Sequence, residues 1–233
     1  MSTELIVSDN EQQPTPNVPT LVPQQKNGFP EAFATENGFA LIQRVGQALS
    51  EGTIVPTKFQ GNISNCIIAV NAAAQMGVDP FTYMQNVDII GGKPTLSAKF
   101  MMALFNSSGR FTPIRFEECG TQNDPSWGFR AYATEVSTGE VLKGSFVTLK
   151  MAKDDGWTKN SKWTTMPEIM LRYRAATFFI RAYAPELLFG YHTTEEMEDV
   201  KYANKKVAED ASMVERIKQR FGKNNEPEEE SDV

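Results

Sequence analysis

The sequence predicts an α+β protein in which a small antiparallel sheet with a hairpin packs against several helices. Three observations predict this fold class. Apolar side chains recur at helical spacing in several segments, including residues 62–76 and 167–184. Residues 111–149 contain three extended segments separated by turn residues. Hydrophobic residues make up 40% of the 233-residue chain, which is enough apolar material for a packed core.

Two helices are predicted in the first third of the chain. Residues 37–50 place their apolar side chains on one side of a helix. In residues 62–76, either Asn62 or Ser64 can cap the start of a helix, and Gly77 can close its end.

A hairpin and a third helix follow. Residues 87–96 form two extended segments around Gly91 and Gly92, a pair typical of a tight hairpin turn. Pro94 cannot donate a backbone hydrogen bond, which favours an edge strand. Ser97 is placed to cap the next helix, which has the sequence AKFMMALFNSS and ends at Gly109.

The second half of the chain predicts a sheet and then helices. The segments FTPIRFEEC, WGFRAYATEV and VLKGSFVTL predict a small antiparallel meander. A short helix over residues 148–155 and a Trp-flanked loop come next. A long helix is predicted over residues 167–184, with Pro167 in its first turn and an N-cap in Thr164 or Thr165. Thr193 and Glu196 form a capping box that predicts a last helix over residues 194–220.

Composition and charge divide the chain into three parts. Residues 1–30 are rich in Pro, Gln and Asn and are predicted to be disordered. Residues 31–190 are the expected core, and residues 191–233 are a helix with an acidic tail. The net charge is −6, but residues 58–185 hold 14 basic and 10 acidic side chains. This excess matters for nucleic-acid binding, because phosphate contact depends on nearby Lys and Arg side chains.

Two arginines of the long helix are unusual. Arg174 and Arg181 lie seven residues apart and point in nearly the same direction, between two apolar stripes. Arg172 points elsewhere and is spaced for a routine ion pair with Glu168. Arginines on a mostly apolar helix require an anionic partner. Phosphates and carboxylates elsewhere in the chain both satisfy this requirement, and the helix alone leaves the two alternatives open.

The segment before this helix alternates basic and aromatic residues. Lysines can follow phosphates, while tryptophan rings can stack on bases without reading their sequence. The alternative is that the tryptophans anchor the loop in the core and the lysines face solvent, which we expect for at least one tryptophan. The residues concerned are Lys150, Lys153, Lys159, Lys162, Trp157 and Trp163.

The sequence predicts no enzyme active site. The GGKPTLS stretch fails as a phosphate-binding loop, because Val87 stands where a P-loop needs glycine and Pro94 where it needs Ser or Thr. The only histidine, His192, is interpreted as a loop residue that opens a helix. Cys66 and Cys119 are predicted to be unpaired core thiols in a reducing compartment. No motif requires a cofactor, and binding of Mg²⁺ is left open.

No membrane span or secretory signal is predicted. The chain contains no run of eighteen apolar residues, and its N-terminal residues lack the basic and apolar regions of a signal peptide. The cytoplasm of a bacterial host is the expected location.

Three segments resemble the RecT/Red-beta family of phage single-strand annealing proteins. Residues 72–118 are similar to the family's helix, Asp-Pro-aromatic turn, hairpin and following helix. Residues 133–157 carry a second match. Residues 161–199 carry a third, in which Trp163, Pro167 and two spaced basic residues follow the family's pattern. Together the segments cover roughly half of the chain and keep the family's order.

The resemblance implies ATP-independent binding of single-stranded DNA and annealing of complementary strands in phage recombination, by a compact α+β core with a basic groove. It also implies a homo-oligomer, either a ring or a helical filament, that holds the annealed duplex. The C-terminal region would dock a host single-strand-binding protein or a partner exonuclease. Glu168 departs from relatives that have a basic residue there. The expected DNA-contact residues are Arg174, Arg181, Arg172, Lys150, Lys153, Lys159, Lys162, Trp163, Lys99 and Lys93.

Three other functions stay open at this point. The chain would be a passive single-stranded DNA-binding protein if it coats strands without pairing them. It would be a self-assembling phage structural protein if the basic segment has no DNA partner. A metal-dependent nuclease has weaker support, because adjacent carboxylates such as Glu117 and Glu118 point to opposite faces of a strand.

Overall fold

The computed structural model describes residues 35–222, with the side chains of residues 206, 207, 209–211, 215 and 217–222 left out. The predicted disordered segment and the acidic tail after residue 222 lie outside these residues. Within them the α+β class is confirmed, with small sheets packed against helices. The basic groove that was expected with this fold stays a prediction.

Both helices predicted in the first third of the chain are present, and the second agrees with its predicted caps. Helix α1 spans Glu36–Glu51 and helix α2 spans Ile63–Met76, and the two pack against each other. The Asn62 side chain accepts a hydrogen bond from the backbone N–H of Asn65, which identifies it as the N-cap. Gly77 ends α2 in the left-handed conformation with φ 67°.

A short helix, α3 (Pro80–Asn86), was not predicted from the sequence. Asp79 caps it by accepting a hydrogen bond from the backbone N–H of Thr82. Its seven residues are too few for a clear apolar period, so the Asp-Pro cap was the only available signal. The predicted hairpin follows as β1 (Val87–Ile90) and β2 (Lys93–Leu96), and its strands are antiparallel.

The hairpin belongs to a three-stranded sheet, which corrects the prediction of an edge strand at Pro94. Strand β2 lies between β1 and β7 (His192–Thr193), and β7 runs parallel to β2. The β2–β7 pairs are Thr95 with His192 and Leu96 with Thr193. Pro94 therefore lies just before this ladder, where its missing N–H removes no bond to β7.

Helix α4 spans Ala98–Ser107, and the Ser97 side chain caps it as predicted. The predicted meander follows and is antiparallel throughout: β3 (Arg115–Cys119), β4 (Gly128–Thr134), β5 (Val141–Lys143) and β6 (Val147–Thr148). The third predicted segment is divided into β5 and β6, and both pair with β4.

The remaining elements are helical. They are α5 (Leu149–Asp154), a 3-10 turn at Trp157–Lys159, α6 (Lys162–Thr165), α7 (Pro167–Tyr183), a 3-10 turn at Pro185–Leu187 and α8 (Thr194–Gly222). The predicted N-cap of α7 is wrong. Thr164 and Thr165 lie inside α6, where the Thr165 hydroxyl donates to the Ser161 carbonyl, and Met166 precedes α7 without a side-chain cap.

Helix α7 joins two hydrophobic clusters. Phe179 and Ile180 pack with the hairpin and α4 in one cluster, while Met170 and Leu171 pack with Trp127 and its neighbours in the other. Because α7 is held against β4 and α4, its arginine-bearing side is left to face α8. Within residues 35–222, no helix combines the length and the apolar character needed to cross a membrane.

The two cysteines are free, as predicted, but only one lies in the core. Cys66 is fully buried, and Cys119 is partly exposed at the end of β3. Burial raises the pKa of both thiols, which keeps them in the protonated, less reactive form.

Candidate nucleic-acid interface

The start of α8 is built by a reciprocal capping box. The backbone N–H of Glu196 donates to the Thr193 hydroxyl at 3.1 Å, and the backbone N–H of Thr193 donates to Glu196 Oε2 at 3.1 Å. This arrangement satisfies two backbone donors at the helix start, as the sequence predicted. It also holds the Glu196 carboxylate in a fixed position beside α7.

Arg174 meets carboxylates, not solvent. Its side chain is only 8% exposed, and Nη2 forms an ion pair with Asp199 while Nη1 lies 3.4 Å from Glu196 Oε1. The guanidinium also lies 4.1 Å from the ring centroid of Trp157. The structure thus resolves the open choice for Arg174 in favour of carboxylate partners and corrects its assignment to a DNA-contact surface.

Arg181 has an intermediate position. Nη2 lies 2.8 Å from Glu196 Oε2, yet the arginine side chain is 41% exposed. Only the arginine half of this pair is exposed, since the Glu196 carboxylate is 10% exposed and accepts two hydrogen bonds from the guanidinium. Arg181 can therefore reach a phosphate at the surface, whereas Arg174 cannot in this conformation.

Trp163 is part of the same network. Its side chain is buried, and its indole N–H lies 3.1 Å from both carboxylate oxygens of Asp199. Asn160 donates to the same carboxylate at 2.9 Å. The expectation that one tryptophan anchors the loop in the core is confirmed for Trp163. The burial of Trp163 corrects its assignment to the DNA-contact residues, because a buried ring offers no face on which a base can stack.

The acidic residues of α8 differ in their protonation equilibria. Burial acts to raise the pKa of Glu196, but hydrogen bonding and charge from Arg181, with the charge of Arg174, hold that pKa below its ordinary value. Burial raises the pKa of Asp199, although its hydrogen bonds and Arg174 oppose the shift. Burial also raises the pKa of Glu195, which accepts a hydrogen bond from the Ala98 N–H at 3.0 Å.

The other expected contact residues fall into two groups. Three are exposed or half-exposed and form ion pairs: Lys150 with Asp154, Lys162 with Glu198 at 2.6 Å, and Arg172 with Glu168. The hydrogen bond from Lys162 to Glu198 raises the pKa of Lys162 and keeps it charged. Four lysines are exposed and have no ion-pair partner among the described residues: Lys93, Lys99, Lys153 and Lys159.

Several elements that carry these lysines meet at the start of α8. The Thr194 hydroxyl lies 3.1 Å from the Thr95 hydroxyl on β2, the strand of Lys93. Glu195 binds the first residue of α4, the helix of Lys99. Helix α8 also packs against the 3-10 turn that contains Lys159, and that turn packs against α5, the helix of Lys153.

The carboxylates that hold the arginines were missed as site residues. Thr193 and Glu196 were predicted only as a capping box, and no role was predicted for Glu195, Glu198 or Asp199. Four acidic residues within five positions at a helix start were the available signal. Negative charge there is favoured by the helix dipole alone, so the pattern does not by itself indicate which cations it meets.

No metal site is found within the described residues, where no three His, Cys, Asp or Glu side chains are grouped to hold an ion. Comparisons of the chain with protein-family models, with curated proteins and with solved structures found no match. The family resemblance therefore rests on the three sequence segments alone.

Proposed function

We propose that this protein binds single-stranded DNA and anneals complementary strands without ATP, during phage homologous recombination in a bacterial cytoplasm. The observation that carries the proposal is that Lys93, Lys99, Lys153 and Lys159 are exposed and have no ion-pair partner in the part of the chain that the structure describes. They lie on elements that contact the start of α8 or the turn packed against it. The resemblance of residues 72–118, 133–157 and 161–199 to annealing proteins supports the same reading.

The chemistry of annealing fits such a surface. Two strands can pair only if their phosphate charges are neutralised while the Watson–Crick edges of the bases stay free. Lysine side chains on rigid elements supply positive charge without reading base edges. Annealing makes and breaks no covalent bond in the protein or DNA, so the proposal requires no catalytic residue.

The direct test is pairing of two complementary, dye-labelled oligonucleotides in the absence of nucleotide. We expect the protein to increase the pairing rate above that of the free strands, and added salt to weaken single-strand binding. Slower pairing with intact binding would indicate a passive coat and overturn the annealing proposal. If the protein shows no salt-dependent binding to single strands, both DNA binding and annealing are overturned, and a structural protein is favoured. Shortened DNA after incubation with Mg²⁺ would indicate a nuclease.

The proposal includes self-association into a ring or helical filament. The paired helices α1 and α2 expose the apolar side chains of Leu41 (56%), Ile63 (42%) and Ile68 (63%). Exposed apolar residues on neighbouring elements are typical of protein interfaces. Light scattering with and without single-stranded DNA tests this part, and a monomer under both conditions would contradict it.

A partner-docking role is proposed for the C-terminal region. Within α8, the apolar side chains of Val200 (51%), Met213 (64%) and Val214 (50%) are exposed. A host single-strand-binding protein and a partner exonuclease are the proposed partners. Co-sedimentation of the full chain with each purified partner tests this part, and no binding to either would contradict it.

A further inference from the structure

An open groove lies beside the parallel pairing of β2 and β7. Its volume is about 380 Å³, and Lys93, Pro94, Phe189, Gly190, Tyr191 and His192 line it. Parallel pairing begins at Thr95 and His192, so the residues that precede these two positions are not paired with each other, and they line the groove. The volume lies at the small end of the range of about 300–1,000 Å³ that is typical of ligand sites.

Phe189 lines this groove in an unfavourable backbone conformation. The backbone N–H of Tyr191 donates to the Leu188 carbonyl at 2.8 Å, which closes a four-residue turn. Both central residues have positive φ, 48° at Phe189 and 78° at Gly190, as in a type I′ turn. Asn-Gly is the preferred pair for such a turn, and a bulky residue at positive φ is strained. The turn itself therefore gives no reason for a phenylalanine.

Packing does not explain Phe189 either. Its side chain is 41% exposed, although the preceding Leu188 is only 3% exposed and anchors the turn in the core. The Tyr191 hydroxyl lies 3.1 Å from the hydroxyl of the buried Tyr83, which fixes the other end of the turn. The turn thus holds an aromatic ring at the surface between two anchored residues. Strain kept at an exposed position points to a function.

The groove is also cationic. Lys93 is exposed and has no ion-pair partner among the described residues, and the exposed His192 lines the same groove. No carboxylate is among the residues that line the groove. The groove therefore differs from the Arg174 and Arg181 sites, where Glu196 and Asp199 already supply the negative charge.

From these observations we infer that the groove binds one nucleotide of a DNA single strand, with its base stacked on Phe189 and its phosphate against the Lys93 ammonium. The His192 ring provides a second polar contact. An aromatic face stacks on any base, so the subsite does not select sequence. This inference rests on the proposed function and adds an aromatic contact that the lysine surface lacks.

The test compares binding of an oligothymidine with binding of an oligonucleotide of equal length that has abasic sites. Phe189→Asn removes the ring and suits the turn, because asparagine tolerates positive φ. We expect it to weaken oligothymidine binding about tenfold without lowering the thermal midpoint, and to leave abasic binding unchanged. Phe189→Trp should restore binding. Lys93→Gln should lower the salt slope by about 0.7 on both oligonucleotides.

The matched control is Phe39→Asn on α1, where the side chain is 42% exposed outside the groove; it should leave DNA binding unchanged. The subsite is overturned if Phe189→Asn binds oligothymidine as the wild type does, or loses affinity equally for the abasic strand. Displacement of the strand by micromolar dTMP would also overturn it in favour of a free-nucleotide site. If the wild type anneals strands and Phe189→Asn has no effect on oligothymidine binding, only the nucleotide subsite is overturned. If the wild type binds no single strand, the proposed function fails as well.

Discussion

The buried guanidinium of Arg174 on α7 forms an ion pair with the buried carboxylate of Asp199 on α8. The same carboxylate accepts hydrogen bonds from Trp163 and Asn160, so one acidic side chain joins α8 to three earlier positions. Buried charges are tolerated only when they are paired and hydrogen-bonded. The start of α8 is therefore part of the folded core.

Arg174→Ala should destabilise the protein without changing its contact with phosphates. The substitution leaves Asp199 buried without its cation, and loss of one partner of a buried pair costs about 3–5 kcal/mol. Urea unfolding measures this loss, and a salt titration of single-strand binding should show an unchanged slope. The control is Lys150→Ala, which breaks the exposed pair with Asp154 and should cost about 0.3–0.5 kcal/mol. Equal losses for the two variants would contradict the buried role of Arg174.

Glutamine substitutions at the neighbouring Glu195 and Glu196 should change the free energy of unfolding in opposite directions at neutral pH. Glu196→Gln removes the charge that meets Arg181 and Arg174, so the free energy of unfolding should fall by about 1–3 kcal/mol. Glu195→Gln keeps an acceptor for the Ala98 N–H and removes a partly buried charge, so the free energy of unfolding should rise.

The pH dependence of the two effects follows from the direction of each pKa shift. The lowered pKa of Glu196 means that its stabilisation is present above the unfolded-state pKa and is lost as pH falls through the folded-state value. The raised pKa of Glu195 means that its cost is present above the folded-state pKa and disappears as pH falls through it. Both differences from the wild type should shrink in acid, as urea unfolding at a series of pH values would show. A shift of both variants in the same direction at neutral pH would be inconsistent with this account.

Lys153→Gln and Lys159→Gln should each remove one phosphate contact. Each should lower the salt slope of single-strand binding by about 0.7, and the double variant should lower it by about twice as much. Stability should change by less than about 0.5 kcal/mol, because both side chains are exposed and unpaired within residues 35–222. Arg44→Gln, an exposed cation on α1, is the control and should leave the slope unchanged. If the lysine variants keep the wild-type slope, they lie outside the DNA surface.

Trp163→Phe should reduce stability and leave DNA binding intact. It keeps an aromatic ring in the core but removes the N–H that binds Asp199, and a hydrogen bond to a charged group is worth about 1.5–3 kcal/mol. Thermal unfolding followed by circular dichroism measures the effect. A selective loss of affinity for base-containing strands over abasic strands would instead assign Trp163 to base stacking.

Elements could be predicted from the sequence where the cap or turn that defines them involves residues only a few positions apart. The caps at Asn62 and Ser97, the hairpin turn at Gly91 and Gly92, and the Thr193–Glu196 capping box all depend on partners one to four positions apart. Helix α3 was missed because seven residues carry too short a period. The parallel strand β7 was missed because two residues give no alternation to detect.

The sequence by itself determined that Arg174 needs an anionic partner, because its own helix offers none and surrounds it with apolar residues. Only the tertiary structure decided which anion it meets. Asp199 is 25 positions away and reaches Arg174 because the start of α8 lies against the arginine-bearing side of α7. Local capping and periodicity are encoded over a few residues, whereas a charge partner depends on how two helices pack. The proposed DNA surface therefore rests less on the buried Arg174 and more on the exposed Lys93, Lys99, Lys153 and Lys159, which have no ion-pair partner within residues 35–222.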